Sequence, residues 1–391
     1  MSASLANPVQ IPNPAPPIRV AVICDFAEER WPSMDLVGNM LHASLSEEQV
    51  ATTSTLVRPT MPFTGRQANK ISRLFGRLVH YPHELRRIRD NFDVFHITDH
   101  SYAHLAHELP GDRTVVTCHD IDAFRCLVEP RAGRSAFFRG LTHRILTGMQ
   151  RAAHVTCDTE ATRQDLLAHG LMPADKLSVV HNGVHPALTA KANPNADAEL
   201  SRLLGRDAHH CTELIHVGST IPRKRIDILL NVFAQMHQRR PDLRLLRVGG
   251  DFTSQQRDLA QSLQISPYID VLPKLTEELL AAAYRRSAVL LQTSESEGFG
   301  LPVIEAMACG TPVVATDIAP LHEVGGSAGV YCPLGDTPQF TAAVLNLLQE
   351  RDANSIAWQT RLNNSLVQAS NFTWSTYALR MTEIYSRILA R

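Results

Sequence analysis

The segment Ser294–Thr316, which reads SESEGFGLPVIEAMACGTPVVAT, constrains the fold of this chain more than any other. Apolar runs before it and at its end, Ala288–Leu291 and Pro312–Ala315, predict two buried strands. Between the runs a glycine-containing turn leads into a helix. Pro302 suits the first helical turn, where its missing N–H costs nothing, and Gly310 suits the helix end. The segment therefore predicts a strand–turn–helix–strand unit of a parallel sheet.

The turn of this unit is expected at the carboxyl end of a parallel strand, where open α/β sheets bind ligands. The free N–H groups at the helix N-terminus suit a phosphate. Glu297 and Glu305 bracket the turn, and carboxylates accept strong hydrogen bonds from hydroxyl groups. A diphosphate with hydroxyls on either side describes a nucleotide sugar. For the bare pair of glutamates, the alternative interpretation is a surface helix with two solvated acids.

Length and composition set the broad class. A chain of 391 residues is comfortable for two domains, and 44% hydrophobic with 20% charged residues is typical of a soluble globular protein. The net charge of −1 gives no field that would select nucleic acid. The seven cysteines form no C-x-x-C pair and are interpreted as buried free thiols of a reducing compartment. Residues 1–17 are expected to be a flexible tail rather than a signal peptide, and no apolar stretch approaches the ~20 residues that span a bilayer. The prediction is a cytoplasmic protein.

Strand-like and helix-like segments alternate along the chain, which predicts parallel sheets with helices on both faces. One series of predicted elements comprises the strands Ile18–Cys24, Asp93–Ile97, Thr114–Thr117, His154–Cys157 and Leu177–Val180, with the helix Asp35–Leu45 after the first strand. A second series comprises the strands Leu214–Val217, Leu243–Val248 and Ile269–Leu272, the helix Ile226–Gln238 and the unit described above. Two doubly wound sheets joined by a linker leave a cleft between them, which favours ligand binding.

The predicted domain boundaries follow from these two series. Residues 18–185 form a first domain and residues 212–370 a second. Residues 186–211, rich in Ala, Asn and Pro in their first part, contain no predicted strand and are interpreted as a linker. Residues 371–391 end the chain, and Phe372–Leu389 has apolar residues at helical spacing.

The string from Ser296 to Ala315 closely resembles the E-G-F-G-L-P-x-x-E-A-M-A-x-G-x-P-V-V-A signature of the retaining glycosyltransferases of the GT4 type. The resemblance implies the GT-B fold, in which two doubly wound Rossmann-like domains face a central cleft. The N-terminal domain then lies on the acceptor side and the C-terminal domain binds the nucleotide sugar. The final helix crosses back to the N-terminal domain, and Phe372-Thr373-Trp374 resembles the F-x-W that precedes it.

The loop 218–224, GSTIPRK, follows a predicted strand and opens a helix. Cationic side chains in such a place neutralise a departing diphosphate, although a solvated basic helix start is the alternative. The loop resembles the family's G-x-x-x-x-x-K element, with Lys224 in the lysine position. Many members carry Arg after the glycine; here that residue is Ser219, and the similar G-T-x-x-P-R-K-N form assigns the arginine role to Arg223. Arg225 replaces the usual Asn or Gly, and its role is open.

The resemblance also implies roles for the two glutamates: Glu305 accepts hydrogen bonds from the ribose hydroxyls, and Glu297 contacts the hydroxyls of the donor sugar. Backbone N–H groups after the turn reach the sugar and phosphates, and two further strand-end loops hold the base. The predicted donor-binding residues are Gly218, Ser219, Arg223, Lys224, Gly249, Pro273, Leu275, Glu297, Gly298, Phe299, Gly300, Leu301, Val303 and Glu305. The predicted catalytic residues are His119, Glu297, Lys224 and Arg223.

Two elements of the first domain bear on the cleft. Cys118-His119-Asp120 ends a predicted strand and is similar to the family's histidine element, so His119 is expected to face the cleft near the transferred sugar, although a lone histidine is usually structural. The loop Asp25–Asp35 carries Pro32-Ser33-Met34 where the family has Gly-Gly, a pair that lets backbone approach phosphates closely.

No Cys/His cluster has zinc spacing and no D-x-D pair has a convincing metal context, so no metal or other cofactor is expected. The two cations make a metal unnecessary for the leaving group. Without an obvious nucleophile, the family picture applies, in which the departing phosphate helps to deprotonate the acceptor on the same face. Retention of configuration is implied by the resemblance alone.

An amphipathic segment of the first domain bears on the acceptor. It contains an apolar stripe at helical spacing, surrounded by basic residues: Ile71, Leu74, Phe75, Leu78 and Val79, with Arg66, Lys70, Arg73 and Arg77. A second basic-apolar segment runs from Arg134 to Arg151 and includes Phe137 and Phe138. Basic amphipathic helices lie on anionic membranes, so peripheral contact at the inner face of the membrane is one interpretation. The other is that the stripe faces the core.

The sequence favours a hexosyltransferase that moves mannose or glucose from a nucleotide-diphosphate sugar to a glycan or lipid-linked acceptor in polysaccharide or glycoconjugate biosynthesis. One alternative is a nucleotide-sugar epimerase on the same architecture, which needs acid and base groups around the sugar and lacks the E-G-F-G string. Another is a catalytically silent nucleotide-sugar-binding module. Ser219 and the missing Gly-Gly favour the silent module, whereas the intact Glu297, Glu305, Lys224 and His119 argue against it.

Overall fold

The computed structural model describes residues 16–47, 50–62, 70–128, 135–207 and 211–391. The expected tail, apart from its last two residues, lies outside these ranges, as do Arg66 and Arg134. Within them, no helix combines the length and the apolar content needed to cross a bilayer.

The first half of the chain forms a parallel sheet of six strands in the order β2-β1-β3-β4-β5-β6. Its strands are β1 (Ile18–Ile23), β2 (Thr52–Val57), β3 (Val94–Ile97), β4 (Thr114–Cys118), β5 (His154–Cys157) and β6 (Leu177–Val179). Strands β3, β4 and β5 are buried throughout, as their apolar runs predict. The edge strand β2 reads TTSTLV, with four polar residues before two apolar ones, and is mostly half-exposed, so it gives no such run.

The second half forms another parallel sheet of six strands, in the order β12-β11-β10-β7-β8-β9. Its strands are β7 (Thr212–Val217), β8 (Leu243–Val248), β9 (Ile269–Leu272), β10 (Val289–Gln292), β11 (Val313–Thr316) and β12 (Val330–Cys332). The strand order reverses between β7 and β10, and in the first sheet between β1 and β3. The carboxyl ends of these strands form the crevices of the two sheets. The predicted α/β architecture of two doubly wound sheets is thus confirmed.

Helices cover both faces of each sheet, with separate cores on the two sides. In the first half they are α1 (Pro32–Leu45), α2 (Lys70–Phe75), α3 (Tyr81–Ile88), α4 (Arg125–Val128), α5 (Ala136–Arg151) and α6 (Glu160–Ala168). In the second half they are α7 (Pro194–Leu204), α8 (Ile226–Arg239), α9 (Ser254–Ser262), α10 (Glu277–Arg286), α11 (Leu301–Ala308), α12 (Ala319–Gly325), α13 (Thr337–Asp352), α14 (Ile356–Ser370) and α15 (Trp374–Leu389). A π-helical turn, Gly76–His80, joins α2 to α3, and a 3-10 helix, His100–His107, follows β3.

Helix α1 begins three residues earlier than predicted. Pro32 occupies its first turn, where a proline loses no hydrogen bond. Pro32-Ser33-Met34 therefore forms the start of a helix rather than the end of a loop. The expectation that this tripeptide ends the first loop, in the place of the family's Gly-Gly, is wrong for this chain.

Helix α7 lies inside the predicted linker and was not expected. Its side-chain cap is Asn193, which accepts a hydrogen bond from the N–H of Ala196 at 3.3 Å, and Gly205 ends it with a φ of 65°. Ala196 and Leu200 belong to the same buried cluster as Ala281 and Ala282 of α10. The segment therefore packs as part of the second half of the molecule.

Helix α15 packs on the first sheet although it ends the chain. Met381 and Tyr385 are buried in one cluster with Val20 and Val22 of β1. The hydroxyl of Tyr385 lies 2.6 Å from Nδ1 of His96 on β3. The end of the chain thus ties the second half of the molecule to the first.

Candidate functional site

The loops after β7 and β8 meet above the second sheet. Gly249 follows β8 with a φ of 116°. A Cβ atom at this position would lie 2.2 Å from the carbonyl oxygen of Gly218, which follows β7. Only a glycine permits this approach, both because of its conformation and because of the space. Gly218 and Gly249 thus lie side by side at the carboxyl edge of the sheet, as predicted for residues that bind one ligand.

Three of the predicted catalytic residues form one cluster. Lys224 Nζ donates to Oε1 of Glu297 at 2.6 Å, and Arg223 Nη1 donates to Oε2 at 3.3 Å. Gln292, at the end of β10, also donates to Oε1 of Glu297, at 2.6 Å. Burial opposes ionisation of Glu297, but the two neighbouring positive charges outweigh it and hold its pKa below the ordinary value. The carboxylate of Glu297 thus pairs with both cationic side chains.

Local backbone contacts fix this cluster. The residues Pro222–Lys224 form a single 3-10 turn before α8, and the N–H of Glu295 donates to the carbonyl of Arg223 at 2.9 Å. Arg225, with a φ of 47°, connects the turn to α8. Its guanidinium pairs with Asp227 at 2.8 Å and with Glu295 at 3.3 Å. The open role of Arg225 is therefore structural, since it points away from Glu297 to partners near the surface.

Arg223 also reaches towards the first half of the molecule. Its guanidinium lies 3.9 Å from Asp120 and 3.6 Å from Asp122. Asp120 directly follows His119, so the β4 end of the first sheet faces the cationic loop of the second. The cleft between the two halves is bordered by charged residues from both sides.

Glu305 has a different environment from Glu297. It lies on α11 with 7% of its surface exposed, and the hydroxyl of Tyr284 donates to its Oε2 at 2.9 Å. Burial raises the pKa of Glu305 to about 7; the hydrogen bond from Tyr284 offsets this only in part, and the negative charge of Glu277 adds to it. This carboxyl group therefore changes charge near neutral pH, and hydroxyl donors of a bound ligand would favour its ionised form.

His119, which is predicted to face the cleft, has both ring nitrogens engaged by acceptors of the first domain. Its Nδ1 lies 2.6 Å from Oδ2 of Asp158, and its Nε2 lies 2.7 Å from the carbonyl oxygen of Thr98. Burial opposes the charged imidazolium, but Asp158 and Asp99 outweigh it and raise the pKa of His119 to about 10. With both nitrogens engaged by acceptors, the ring is a charged structural element of the first domain.

The carbonyl group of His119, rather than its ring, lies next to the predicted donor turn. A Cβ atom at Gly298 would lie only 2.0 Å from this oxygen. The hydroxyl of Thr159, at the start of α6, donates to the carbonyl of Gly298 at 2.9 Å. A position without a side chain is thus required for the turn to touch the other domain.

A further contact between the two halves was not predicted. The carboxylate of Glu323, on α12, accepts hydrogen bonds from the N–H groups of Glu160 at 2.7 Å and Ala161 at 3.3 Å, at the N-terminus of α6. It also lies 2.8 Å from Nε2 of His181. No spacing in the sequence indicates this contact, because its partners are more than 140 positions apart.

The other predicted donor-binding residues lie along the same edge of the second sheet. Gly300 caps α11 with a φ of 101°, and Leu301 is the first residue of that helix. The N–H of Val303 donates to the carbonyl of Gly300 at 2.9 Å, so it is already paired rather than available to a ligand. Phe299 is buried against Phe372. The remaining residues flank the site: Ser219 and Pro273 are exposed, and Leu275 is buried.

The crevice of the first sheet contains a pair of acids that was not predicted. Asp25 follows β1 and Asp99 follows β3, and both are buried. Asp99 accepts hydrogen bonds from the N–H and hydroxyl of Ser101, whereas Asp25 lies beside Asp99 and accepts no hydrogen bond from an N–H or hydroxyl donor in the described part of the chain. Burial and the adjacent Asp99 raise the pKa of Asp25 well above its ordinary value. Within the described part of the chain, no group of three or more His, Cys, Asp or Glu side chains is arranged to hold a metal ion.

Comparison with known proteins gives two family matches. Residues 42–188 match the model described as Glycosyltransferase Family 4, and residues 211–350 match the model described as Glycosyl transferases group 1. The chain is 32% identical to a D-inositol 3-phosphate glycosyltransferase of Streptosporangium roseum over 62% of its own length and 57% of the relative's. It is 26% identical to the O-antigen chain mannosyltransferase B of Escherichia coli over 79% and 78%. The chain thus spans little more than half the length of the first of these curated relatives.

Solved structures share the architecture along nearly the whole chain. Sucrose-phosphate synthase from Thermosynechococcus elongatus superposes with a TM-score of 0.74 and 19% identity, covering 95% of this chain and 99% of the other. The Anabaena protein HepE, solved in complex with UDP-glucose, gives 0.72 and 17%, covering 95% and 100%. Identities this low support the fold only.

Two doubly wound domains face each other across a cleft, which the cluster of Lys224, Arg223 and Glu297 borders. This architecture defines the GT-B class. Together with the two family matches, this places the chain in the GT4-type glycosyltransferases.

Proposed function

We propose that this protein transfers a hexose, of the mannose or glucose type, from a nucleotide-diphosphate sugar to a glycan or lipid-linked acceptor, with retention of configuration. The process it serves is polysaccharide or glycoconjugate biosynthesis. The observation that carries the proposal is the cluster of Lys224, Arg223 and Glu297 at the carboxyl ends of β7 and β10, next to the N-terminus of α11.

Arg223 and Lys224 neutralise the negative charge that develops on the departing diphosphate. The N-terminus of α11, which follows the turn after β10, adds its partial positive charge. Because the two side chains already provide two positive charges, the leaving group needs no metal. A bound diphosphate competes with Glu297 for both cations, which frees that carboxylate to accept hydrogen bonds from the hydroxyls of the donor sugar.

Glu305 accepts hydrogen bonds from the ribose hydroxyls, at a distance from the reacting carbon. Its buried position and single hydrogen bond to Tyr284 leave it with acceptor capacity. The carbonyl of His119 helps to shape the wall opposite the donor turn. Proton removal from the acceptor falls to the departing phosphate, since the ring nitrogens of His119 are both engaged.

The named relatives support the chemistry of donor and acceptor. One solved neighbour binds UDP-glucose, and one curated relative is a mannosyltransferase that acts on the O-antigen chain. We infer from these that a nucleotide sugar is the donor and a growing glycan, or a lipid that carries one, is the acceptor.

Incubation with a panel of nucleotide sugars tests the proposal. Slow release of nucleoside diphosphate and free hexose from one donor, without any acceptor, is the expected result. Conversion of the donor to an epimeric nucleotide sugar would instead indicate an epimerase. Binding of a nucleotide sugar with neither hydrolysis nor transfer would indicate a silent binding module, and both outcomes would contradict a transferase.

We also propose that the first domain contacts an anionic membrane at its inner, cytoplasmic face. Of the apolar stripe, Ile71 is 78% exposed, Phe75 43% and Val79 52%, and Phe137 on α5 is 68% exposed. Leu74 and Leu78 are half-buried and hold the segment to the protein. The stripe thus presents its outer residues to solvent, which favours the membrane interpretation over the core interpretation.

The two amphipathic segments are joined through the 3-10 helix that follows β3. Nε2 of His104 lies 2.8 Å from the carbonyl oxygen of Arg77, and Nε2 of His107 lies 3.1 Å from that of Arg144 on α5. Exposed basic residues accompany both segments, among them Arg73 and Arg139. An apolar surface bordered by basic side chains matches the chemistry of an anionic lipid surface.

A further inference from the structure

Two polar side chains lie fully buried beneath the loops that follow β7 and β8. His216 on β7 and Arg247 on β8 are register partners in the parallel sheet, and neither is exposed. Among the residues that the structure describes, both ring nitrogens of His216 lack a hydrogen-bond partner, as do Nε and Nη2 of Arg247. Nη1 of Arg247 donates to the carbonyl of Val248. A buried guanidinium is costly to maintain unless an opposite charge compensates it.

No carboxylate within the described ranges compensates Arg247. Burial lowers the pKa of Arg247 to about 10, with no neighbouring acid to raise it. Arg244, three residues earlier on the same strand, shows the contrast. Its guanidinium donates to Asp270 at 3.1 Å and to the carbonyl of Pro267 at 3.0 Å.

The position of Arg247 relates it to the donor loops. A Cβ atom at Gly249 would lie 3.2 Å from Nη1 of Arg247 and 2.2 Å from the carbonyl oxygen of Gly218. A Cβ atom at Gly218 would lie 3.6 Å from both Cε1 of His216 and Cε of Lys224. The guanidinium, the imidazole and the ammonium group therefore surround the same pair of adjoining glycines.

Arg247 differs from the two cations of the neighbouring loop in its pairing with acids. Lys224 and Arg223 already pair with Glu297, and Arg223 also faces Asp120 and Asp122. Part of their attraction for an anion is therefore offset before any ligand binds. The charge of Arg247 has no such partner, and in an interior that contains little water it acts over a longer distance than a surface charge.

We propose that Arg247 is a further donor-binding residue, which attracts the diphosphate of the nucleotide from beneath Gly218 and Gly249. The inference rests on the proposed function, which assigns the diphosphate to these loops. Arg247 acts through its charge and without direct contact. The bound diphosphate supplies the counter-charge that the folded protein lacks, and the cost of burying the guanidinium in the free protein is thereby reduced in the complex.

Substitution of Arg247 by methionine, with nucleotide titrations, tests this assignment. The probes are UDP, GDP and ADP together with uridine, guanosine and adenosine, measured by calorimetry. Arg247→Met is expected to weaken binding of the preferred diphosphate about tenfold or more and to leave binding of its nucleoside unchanged. The melting temperature of the ligand-free variant should equal or exceed that of the wild type, because an uncompensated buried charge is lost.

Two further variants serve as controls. Arg247→Lys keeps the charge and should retain diphosphate affinity to within a few fold. Arg244→Met removes a paired arginine from the same strand; it should lower the melting temperature and leave nucleotide binding unaltered.

Equal diphosphate affinity in the wild type and Arg247→Met would overturn the inference while leaving the proposed function intact. Failure of both Arg247→Met and Arg247→Lys to fold would show a structural role and would overturn it as well. If the wild type binds none of the three diphosphates, the proposed function itself fails.

Discussion

Glu297 and Glu305 lie eight positions apart in one local sequence pattern, yet their surroundings shift their pKa values in opposite directions. Glu297 lies between Lys224 and Arg223, which lower its pKa, whereas burial raises the pKa of Glu305 to about 7. The spacing of the pair along the chain says nothing of this difference. It arises because the loop after β7 folds over one glutamate and Tyr284 of α10 covers the other.

Lys224→Ala tests the role of the cationic loop in the reaction. The substitution removes a charge-assisted contact worth ~2–4 kcal/mol in the transition state, so turnover should fall by about two orders of magnitude or more. Hexose release from the donor in the steady state is the measurement. Arg225→Asn is the matched control, because asparagine tolerates the left-handed backbone and Arg225 pairs only with Asp227 and Glu295. Near-normal turnover of Lys224→Ala would remove this lysine from the mechanism.

The pKa of Glu305 predicts how nucleotide binding depends on pH. The pKa in the folded protein is about 7, above the value of an unfolded chain, so the protonated form predominates below pH 7. Only the ionised form accepts hydrogen bonds from both ribose hydroxyls at full strength. Affinity for a nucleoside diphosphate should therefore increase between pH 6 and pH 8, and calorimetry in matched buffers measures it. The same slope in Glu305→Gln would contradict the assignment.

The folded-state pKa of Glu305 also links its ionisation to stability. A carboxyl group whose pKa is raised by folding contributes stability below its unfolded pKa, and this contribution is lost as pH rises through the folded value. The free energy of unfolding of the wild type should thus fall between about pH 5 and pH 7.5 relative to that of Glu305→Gln. Urea titrations at several pH values check the sign.

Comparison of the two glutamate-to-glutamine variants separates the contacts to sugar and ribose. Glu305→Gln should weaken binding of both the bare nucleoside diphosphate and the nucleotide sugar. Glu297→Gln should impair transfer but not weaken the bare diphosphate, because it frees Lys224 and Arg223 from their counter-charge. Titration of each variant with both ligands is the measurement. If both variants bind the bare diphosphate equally poorly, the proposed division between the glutamates is wrong.

At the scale of elements, the amphipathic segments of the first domain have a sequence pattern that fits two different environments. The stripe from Ile71 to Val79 has helical spacing, which fits either a core face or a membrane face. The structure exposes its outer residues, yet one of the basic residues that were expected to surround it is only partly exposed and is held by other residues of the protein. Arg77 donates to Ser101 and lies 4.1 Å from the ring centroid of Tyr102. Charge reversal at Arg77 would therefore damage the fold rather than test lipid contact.

Charge reversal at two exposed positions tests the membrane proposal instead. Arg73→Glu with Arg139→Glu should abolish sedimentation with vesicles that contain phosphatidylserine, because each basic residue near the surface contributes about 1 kcal/mol. Binding by the wild type should weaken with salt, since this attraction is screened. The double variant Arg202→Glu and Arg239→Glu, in exposed positions of the second domain, is the control. If Arg73→Glu with Arg139→Glu sediments with vesicles as the wild type does, at an unchanged melting temperature, the membrane proposal is wrong.

The bounds of helices α1 and α7 follow local signals, whereas the domain to which α7 belongs depends on its packing. The start of α1 at Pro32 follows local rules, since proline suits a first helical turn. Helix α7 likewise has a readable cap at Asn193 and an end at Gly205. Both signals are local, although the sequence pattern predicted a loop before Asp35 and a linker over residues 186–211. Burial of Leu200 against the second domain, which no local pattern specifies, is what makes α7 part of that domain.

At the scale of the whole molecule, contacts across the cleft set how the two domains meet. Glu323→Ala removes a carboxylate from the N-terminus of α6 and from His181. Such a charge at a helix N-terminus is worth about 1 kcal/mol. The fraction of molecules in which the two domains have moved apart should therefore rise about fivefold. A larger radius of gyration in small-angle X-ray scattering is the expected result.

The control for this variant is Asp317→Asn, which removes an acid that pairs with His322 at 2.7 Å within the second domain alone. Its scattering should match that of the wild type. If Glu323→Ala also scatters like the wild type, this contact does not hold the domains together.

The sequence alone determined the architecture and the position of the loops that we propose to bind the donor, because these depend on short-range regularities. Apolar runs mark parallel strands buried on both faces, and glycine, proline and cationic residues at strand ends mark loops that approach a ligand. The tertiary structure decided which charges are paired, that Asp158 and the carbonyl of Thr98 engage the ring nitrogens of His119, and that Glu323 caps a helix of the other domain. It also decided that Arg247 lies without a counter-charge beneath Gly218 and Gly249. These features depend on side chains that are distant in sequence and adjacent in space, where burial and charge, rather than local pattern, fix the outcome.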